Sequence, residues 1–144
     1  MKIAITASLA LGGLFPAVLS AASCESLASL ALGDARITMA QAVPAGAFSP
    51  PTAQRGGKTP AANPYRDLPE FCRVAATLTP TGDSEIQVEI WLPAANWNRK
   101  FQAVGNGGWA GVISYSAMAD AVRAGYATAS TDTCLLYTSD AADE

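Results

Sequence analysis

Apolar and polar positions change their spacing along this chain, and each change marks an element. Residues 3–18 form a nearly unbroken apolar run behind Lys2, closed by Ser20, Ala21 and Ala22. That is the pattern of an export signal cleaved before Ser23. Leu27, Leu30 and Ala31 then recur at helical spacing up to Gly33, which predicts one or two helical turns over 24–32. Residues 36–42 predict a short strand. Over 43–69 periodicity is lost, and Pro44, Pro50, Pro51, Pro60, Pro64 and Pro69 with Gly46, Gly56 and Gly57 predict a long irregular excursion.

Strand spacing returns after Cys72. Residues 73–79 (RVAATLT), a turn at 80–83 and residues 84–92 (SEIQVEIWL) predict an antiparallel hairpin. Ile86, Val88, Ile90 and Leu92 alternate with Gln87, Glu89 and Trp91, so one buried face is expected, made of the aliphatic set. Pro93 ends the hairpin, and a turn at 96–99 leads into a short central strand, 100–104 (KFQAV). A glycine-rich loop follows at 105–111 (GNGGWAG). Ser116 is placed to cap a helix running to Ala124, with Met118, Ala119 and Val122 inward and Gly125 as its stop. Residues 126–131 (YATAST) predict a short buried parallel strand. The order hairpin, strand, glycine loop, helix, strand reads as the opening of an α/β sheet.

Composition narrows the function. The chain of 144 residues is 50% hydrophobic and 15% charged with a net charge of -3. A disordered chain or a nucleic-acid-coating one is excluded by that balance, and no membrane association is expected beyond the signal. No histidine is present, so imidazole chemistry has no source within these residues. Gly12, Gly13 and Pro16 in the apolar run argue against a membrane anchor. A lipoprotein acylated at Cys24 is disfavoured by Ala21, which stands where a large aliphatic residue is expected, and no Arg-Arg pair marks export of a prefolded protein. The expected location is secreted or periplasmic.

Three cysteines leave one unmatched. The last run, 134–144 (CLLYTSDAADE), reads as the in-frame translation of a transposon end and adapter used in sequencing libraries. On that reading the native stretch is 23–133, preceded by the signal 1–22, and Cys134 drops out. Cys24 and Cys72 are then two independent thiols or, in an oxidising compartment, a disulfide pinning the excursion at its base.

A glycine loop after a strand exposes backbone N–H groups to a ligand. It is open to three readings: a close-packed turn with no ligand, a dinucleotide fingerprint, or an oxyanion loop. Gly105, Gly107 and Ala110 fit G-x-G-x-x-A, and Asp132 ends the next strand, where an acidic residue about 20 positions on would hold a ribose. A hairpin ahead of the motif and a late helix start count against that oxidoreductase reading. The loop after the third strand of an α/β-hydrolase supplies an oxyanion donor, and the strand order here matches that place.

The string from Cys72 through IWLPAANWNRKFQAVGNGGWAG to GYATASTDT, with the leading Cys24, resembles the N-terminal part of the tannase and feruloyl esterase family of secreted α/β-hydrolases. The resemblance implies a serine esterase acting on aromatic acid esters, either gallates or hydroxycinnamates. It also implies a nucleophilic Ser in a Cys-Ser elbow, a later Asp and His, a disulfide joining the cysteines beside Ser and His, and a lid domain with a structural calcium. All of these are expected beyond Thr133, so no triad residue is assigned, no cofactor is expected in this stretch, and the truncated chain is expected to be inactive and to fold poorly around an open sheet edge. The resemblance carries over only the oxyanion loop, with Gly107 or Gly108 as N–H donor and Gly105 shaping the turn. Trp109 is read as a contact for an aromatic acyl group or as packing, and Trp91 and Trp97 as fold residues. Neither Ser114, Ser116 nor the 130–133 run (STDT) is read as a nucleophile. A secreted non-catalytic accessory domain is the alternative outside enzymes.

Overall fold

The computed structural model describes residues 22–51, 63–105 and 111–132. All of the expected signal 1–22 but Ala22, the run at 134–144 and loop residues Gly107, Gly108, Trp109 and Ala110 lie outside the described residues. Five strands form one sheet: β1 (Ala35–Val43), β2 (Phe71–Leu78), β3 (Ile86–Pro93), β4 (Phe101–Ala103) and β5 (Ala127–Thr131), in the spatial order β1-β2-β3-β5-β4. The helix α1 (Tyr115–Arg123) joins β4 to β5. β1 to β3 form an antiparallel meander, β5 runs antiparallel to β3, and β4 pairs with β5 in parallel. The β4–α1–β5 unit is thus a parallel crossover attached to an antiparallel meander. The expected α/β class and sequence of elements hold.

The hairpin register explains why the expected single buried face is incomplete. Arg73 lies opposite Trp91, Ala75 opposite Glu89 and Phe71 opposite Pro93, so their side chains share one face. On this face Phe71 and Trp91 are fully buried with Met118, Ala119 and Val122 of α1, and with Val43, Phe48 and Leu68. The aliphatic set lies on the other face, where Val74, Ala76 and Val88 are buried while Ile86, Ile90 and Leu92 stay half-buried. Both faces are used, and the bulkier core forms under the helix. Residues Glu89 and Trp91, expected on the solvent side, are 5% and 0% exposed.

Four further details differ from the sequence expectation. Residues 24–29 form a 3-10 turn, with the Ser26 amide donating to Ser23 Oγ at 3.3 Å. The strand within 100–104 is outermost in the described sheet, not central, because β5 inserts between it and β3; all three of its residues are exposed. The helix starts at Tyr115 with Ser114 as N-cap, two residues before the expected cap Ser116, which stands exposed inside the first turn. Strand β5 has one parallel and one antiparallel neighbour rather than a purely parallel setting.

The proline-rich excursion is fastened to the core. Cys24 and Cys72 form a disulfide that closes a loop of 48 residues' separation, worth about 4 kcal/mol through the unfolded chain. Phe48 and Leu68 are buried, the Gly46 amide donates to Leu68 O at 2.9 Å, and Asn63 Nδ2 donates to Phe48 O at 2.9 Å. Arg123 at the end of α1 donates to Pro64 O at 2.9 Å and pairs with Asp67 at 2.6 Å. Gly46 takes φ +70° and Gly125 φ +78°, and a Cβ at either would lie 2.6 Å from Arg66 O or 2.8 Å from Asn96 O. Both positions therefore require glycine. Gly125 ends α1 as the sequence predicts.

Candidate functional site

The segment of interest runs from the end of β4 to the start of α1. Its described flanks are both fixed to β5. Val104 N donates to Ala129 O at 2.8 Å, and Ser114 N donates to Ser130 Oγ at 3.1 Å. Gly105 is exposed, with no atom within 4 Å of where a Cβ would stand, and Gly111 takes φ 55°. The open setting of Gly105 suits a segment that leaves the sheet toward solvent or a ligand.

Beneath the return flank lies a buried polar cluster that the alternation pattern did not reveal. Glu89 accepts from Arg73 Nε at 2.8 Å and from Arg73 Nη2, from Trp91 Nε1 at 3.1 Å and from Tyr115 Oη at 3.1 Å. Four donors surround one carboxylate, which satisfies most of its acceptor sites. Arg73 is held charged, its guanidinium pushed further up by its bond to Glu89. The Tyr115 phenol is pushed up to about 12, first by burial and then by the charge on Glu89. Arg73 also lies over the Phe48 ring at 5.4 Å, and Trp91 stacks near Tyr115 with ring centroids 6.1 Å apart. The sequence signal for this cluster is an Arg and a Glu on neighbouring strands, two residues apart in register, visible only once the pairing is known.

The remaining candidates separate cleanly. Ser130 is 2% exposed and its hydroxyl accepts from Ser114 N, so it is a structural acceptor. Asp132 Oδ1 accepts from Gln87 N at 3.0 Å, and its own amide returns a bond to Gln87 O at 3.1 Å, which closes the end of β5 onto β3. A carboxylate so placed serves the sheet end rather than a ribose. Trp91 is a core residue, whereas Trp97 is 55% exposed and donates through Nε1 to Lys100 O at 3.0 Å. Among the described residues, no group of three or more Cys, Asp or Glu side chains is arranged to hold a metal ion. No nucleophile and base are paired among these contacts. What the arrangement supplies is a platform on which both described flanks of the glycine segment are bonded to one strand.

Comparisons with known proteins give this platform a lineage. Residues 72–142 match the family model described as tannase and feruloyl esterase, a stretch that ends inside the 134–144 run. An uncharacterized esterase of Xanthomonas campestris pv. campestris is 39% identical over 132 residues, 92% of this chain and 21% of that protein. A probable feruloyl esterase B-1 of Aspergillus oryzae is 34% identical over 116 residues, 77% of this chain and 21% of that protein. The crystal structure of an esterase from Aspergillus oryzae superposes with a TM-score of 0.63 at 29% identity, covering 76% of this chain and 21% of that one. The crystal structure of feruloyl esterase B from the same fungus gives a TM-score of 0.58 at 34% identity, covering 76% and 20%. The chain thus spans about a fifth of the length of the relatives it matches, and its sheet is of the α/β-hydrolase type that they share. By its match to the family model and its identity to these relatives, the chain belongs to the tannase and feruloyl esterase family.

Proposed function

We propose that this chain is the N-terminal, oxyanion-loop portion of a secreted serine esterase acting on aromatic acid esters, either gallate or hydroxycinnamate. The observation that carries the reading is the glycine segment between β4 and α1, set in a sheet that superposes on esterases. In acyl transfer a carbonyl oxygen becomes an oxyanion, and a preorganised backbone N–H aimed at it stabilises the transition state. On this reading Gly107 or Gly108 supplies that donor, Gly105 turns the chain, and Trp109 is the candidate contact for the aromatic acyl group. Losing one such donor lowers the rate by about a hundred- to a thousandfold. The nucleophile, base and acid come from sequence beyond Thr133. The Cys24–Cys72 disulfide suits an oxidising compartment and supports export.

A dinucleotide role is less well supported. The helix begins at Tyr115, well after Gly105, so its N-terminus is not at the fingerprint, and Asp132 is bonded to Gln87.

The test is to resequence the locus across codon 133 and express the whole open reading frame. The expected product continues to a Cys-Ser elbow and hydrolyses methyl ferulate or methyl gallate, while the 144-residue chain turns over neither. A genomic stop after Glu144, or a full-length product inert toward both esters, would overturn the proposal.

A further inference from the structure

The two hydrogen bonds that flank the glycine segment end on consecutive residues of one strand. Val104 N reaches Ala129 O at 2.8 Å, and Ser114 N reaches Ser130 Oγ at 3.1 Å. Consecutive Cα atoms are about 3.8 Å apart, so the outgoing and returning flanks are fastened side by side. The first bond uses a carbonyl that any residue would supply, whereas the second depends on a hydroxyl. At 2% exposure Ser130 has little access to water that might take its place. Ser114 is the N-cap of α1 yet makes no side-chain cap. The start of the helix is therefore set by the sheet. Glu89, which faces Ser130 in the β3–β5 register, accepts from the next residue, Tyr115, at 3.1 Å. One register pair thus holds two consecutive residues at the point where the segment becomes helix.

We propose that Ser130 is a positioning residue for the esterase reaction, with Glu89 and Tyr115 as a second fastening. The Ser130 hydroxyl fixes residue 114 to the sheet, and with it the returning flank of the glycine segment. It touches no reacting atom. The inference rests on the oxyanion-loop reading above. Misplacing a catalytic donor by about 1 Å costs as much as a hundredfold in rate, and the loss falls on the chemical step.

The experiment uses the product of the whole open reading frame, with Ser130→Ala, Ser130→Thr and Tyr115→Phe, assayed on methyl ferulate and by amide hydrogen exchange. Ser130→Ala is expected to lower kcat about tenfold with KM held within about twofold, and to speed exchange at the Ser114 amide about tenfold. Ser130→Thr, which keeps the hydroxyl, is expected to recover most of both. Tyr115→Phe keeps the ring packing and is expected to show a smaller loss, about threefold in kcat, with KM unchanged; it decides the matter if Ser130→Ala does not fold. Unchanged exchange at Ser114 in Ser130→Ala overturns the anchor. Faster exchange with kcat unmoved overturns the positioning role. An inert wild type whose Ser114 exchange still depends on Ser130 removes the esterase reading and leaves the anchor standing.

Discussion

Arg73 and Glu89 sit two residues apart in the β2–β3 register and meet through one guanidinium edge, Nε and Nη2, each on its own carboxylate oxygen, with side chains 16% and 7% exposed. Two charges in so dry a setting stand only as a pair, because each alone carries a desolvation penalty of several kcal/mol. Removing one partner should therefore cost more than removing both. Arg73→Met or Glu89→Leu alone is expected to destabilise by about 3–5 kcal/mol, and the double replacement by clearly less than the sum of the two. Urea denaturation of the four members of this cycle measures it. Additive losses would show that the pair is not coupled.

The Tyr115 phenol offers a pH readout of the same cluster. Its pKa is raised to about 12 in the folded chain, against an ordinary value of about 10. As pH climbs past the ordinary value, the unfolded chain ionises this phenol while the folded chain keeps its proton. Stability is then lost between about pH 10 and pH 12, and the part due to this residue vanishes in Tyr115→Phe. Ultraviolet titration of tyrosinate, with stability followed over the same range, should give a late-ionising tyrosine that Tyr115→Phe removes.

Gly46 and Gly125 should not tolerate a side chain. Gly46→Ala places a methyl 2.6 Å from Arg66 O at φ +70°, and Gly125→Ala one 2.8 Å from Asn96 O at φ +78°. Left-handed backbone alone costs a non-glycine residue about 1–2 kcal/mol, and the clash adds to it. Thermal melts of both variants are expected to fall by several degrees. An unchanged midpoint for either would mean that the loop around it relaxes freely.

Reduction should loosen the N-terminal turn. Cys24→Ser is expected to lose about 2–5 kcal/mol, and added dithiothreitol should bring the wild type to the same midpoint. Equal midpoints with and without reductant would show that the bond contributes nothing.

Much of this architecture was legible in the sequence because it depends on local spacing. The β2–β3 hairpin follows from alternation around a Pro-Thr-Gly-Asp turn, and the buried side of α1 follows from Met118, Ala119 and Val122. What escaped depends on partners distant along the chain. The N-cap of α1 falls at Ser114 rather than Ser116, and Ser114 is bonded to Ser130, on a strand beyond the helix. Glu89 reads as a solvent residue until the register sets Arg73 beside it. The outer place of β4 cannot be read from KFQAV, since it depends on where β5 goes in. Of the candidate site, Gly105 falls where expected, just past β4, whereas Gly107, Gly108 and Trp109 remain expectations from the sequence.

The strand order β3-β5-β4 sets which described pairings can form as the chain is synthesised. The meander from Ala35 to Pro93, with its Cys24–Cys72 bond, pairs only residues that precede β4 in the sequence. In the described sheet β4 has a single neighbour, and that neighbour is the last strand to arrive. Until Ala127 and the residues after it are available, Phe101 to Ala103 have no described strand to pair with and neither flank of the glycine segment has its anchor. Among the described strands, the two anchors of the glycine segment therefore both depend on β5, a strand of five small residues set between β3 and β4.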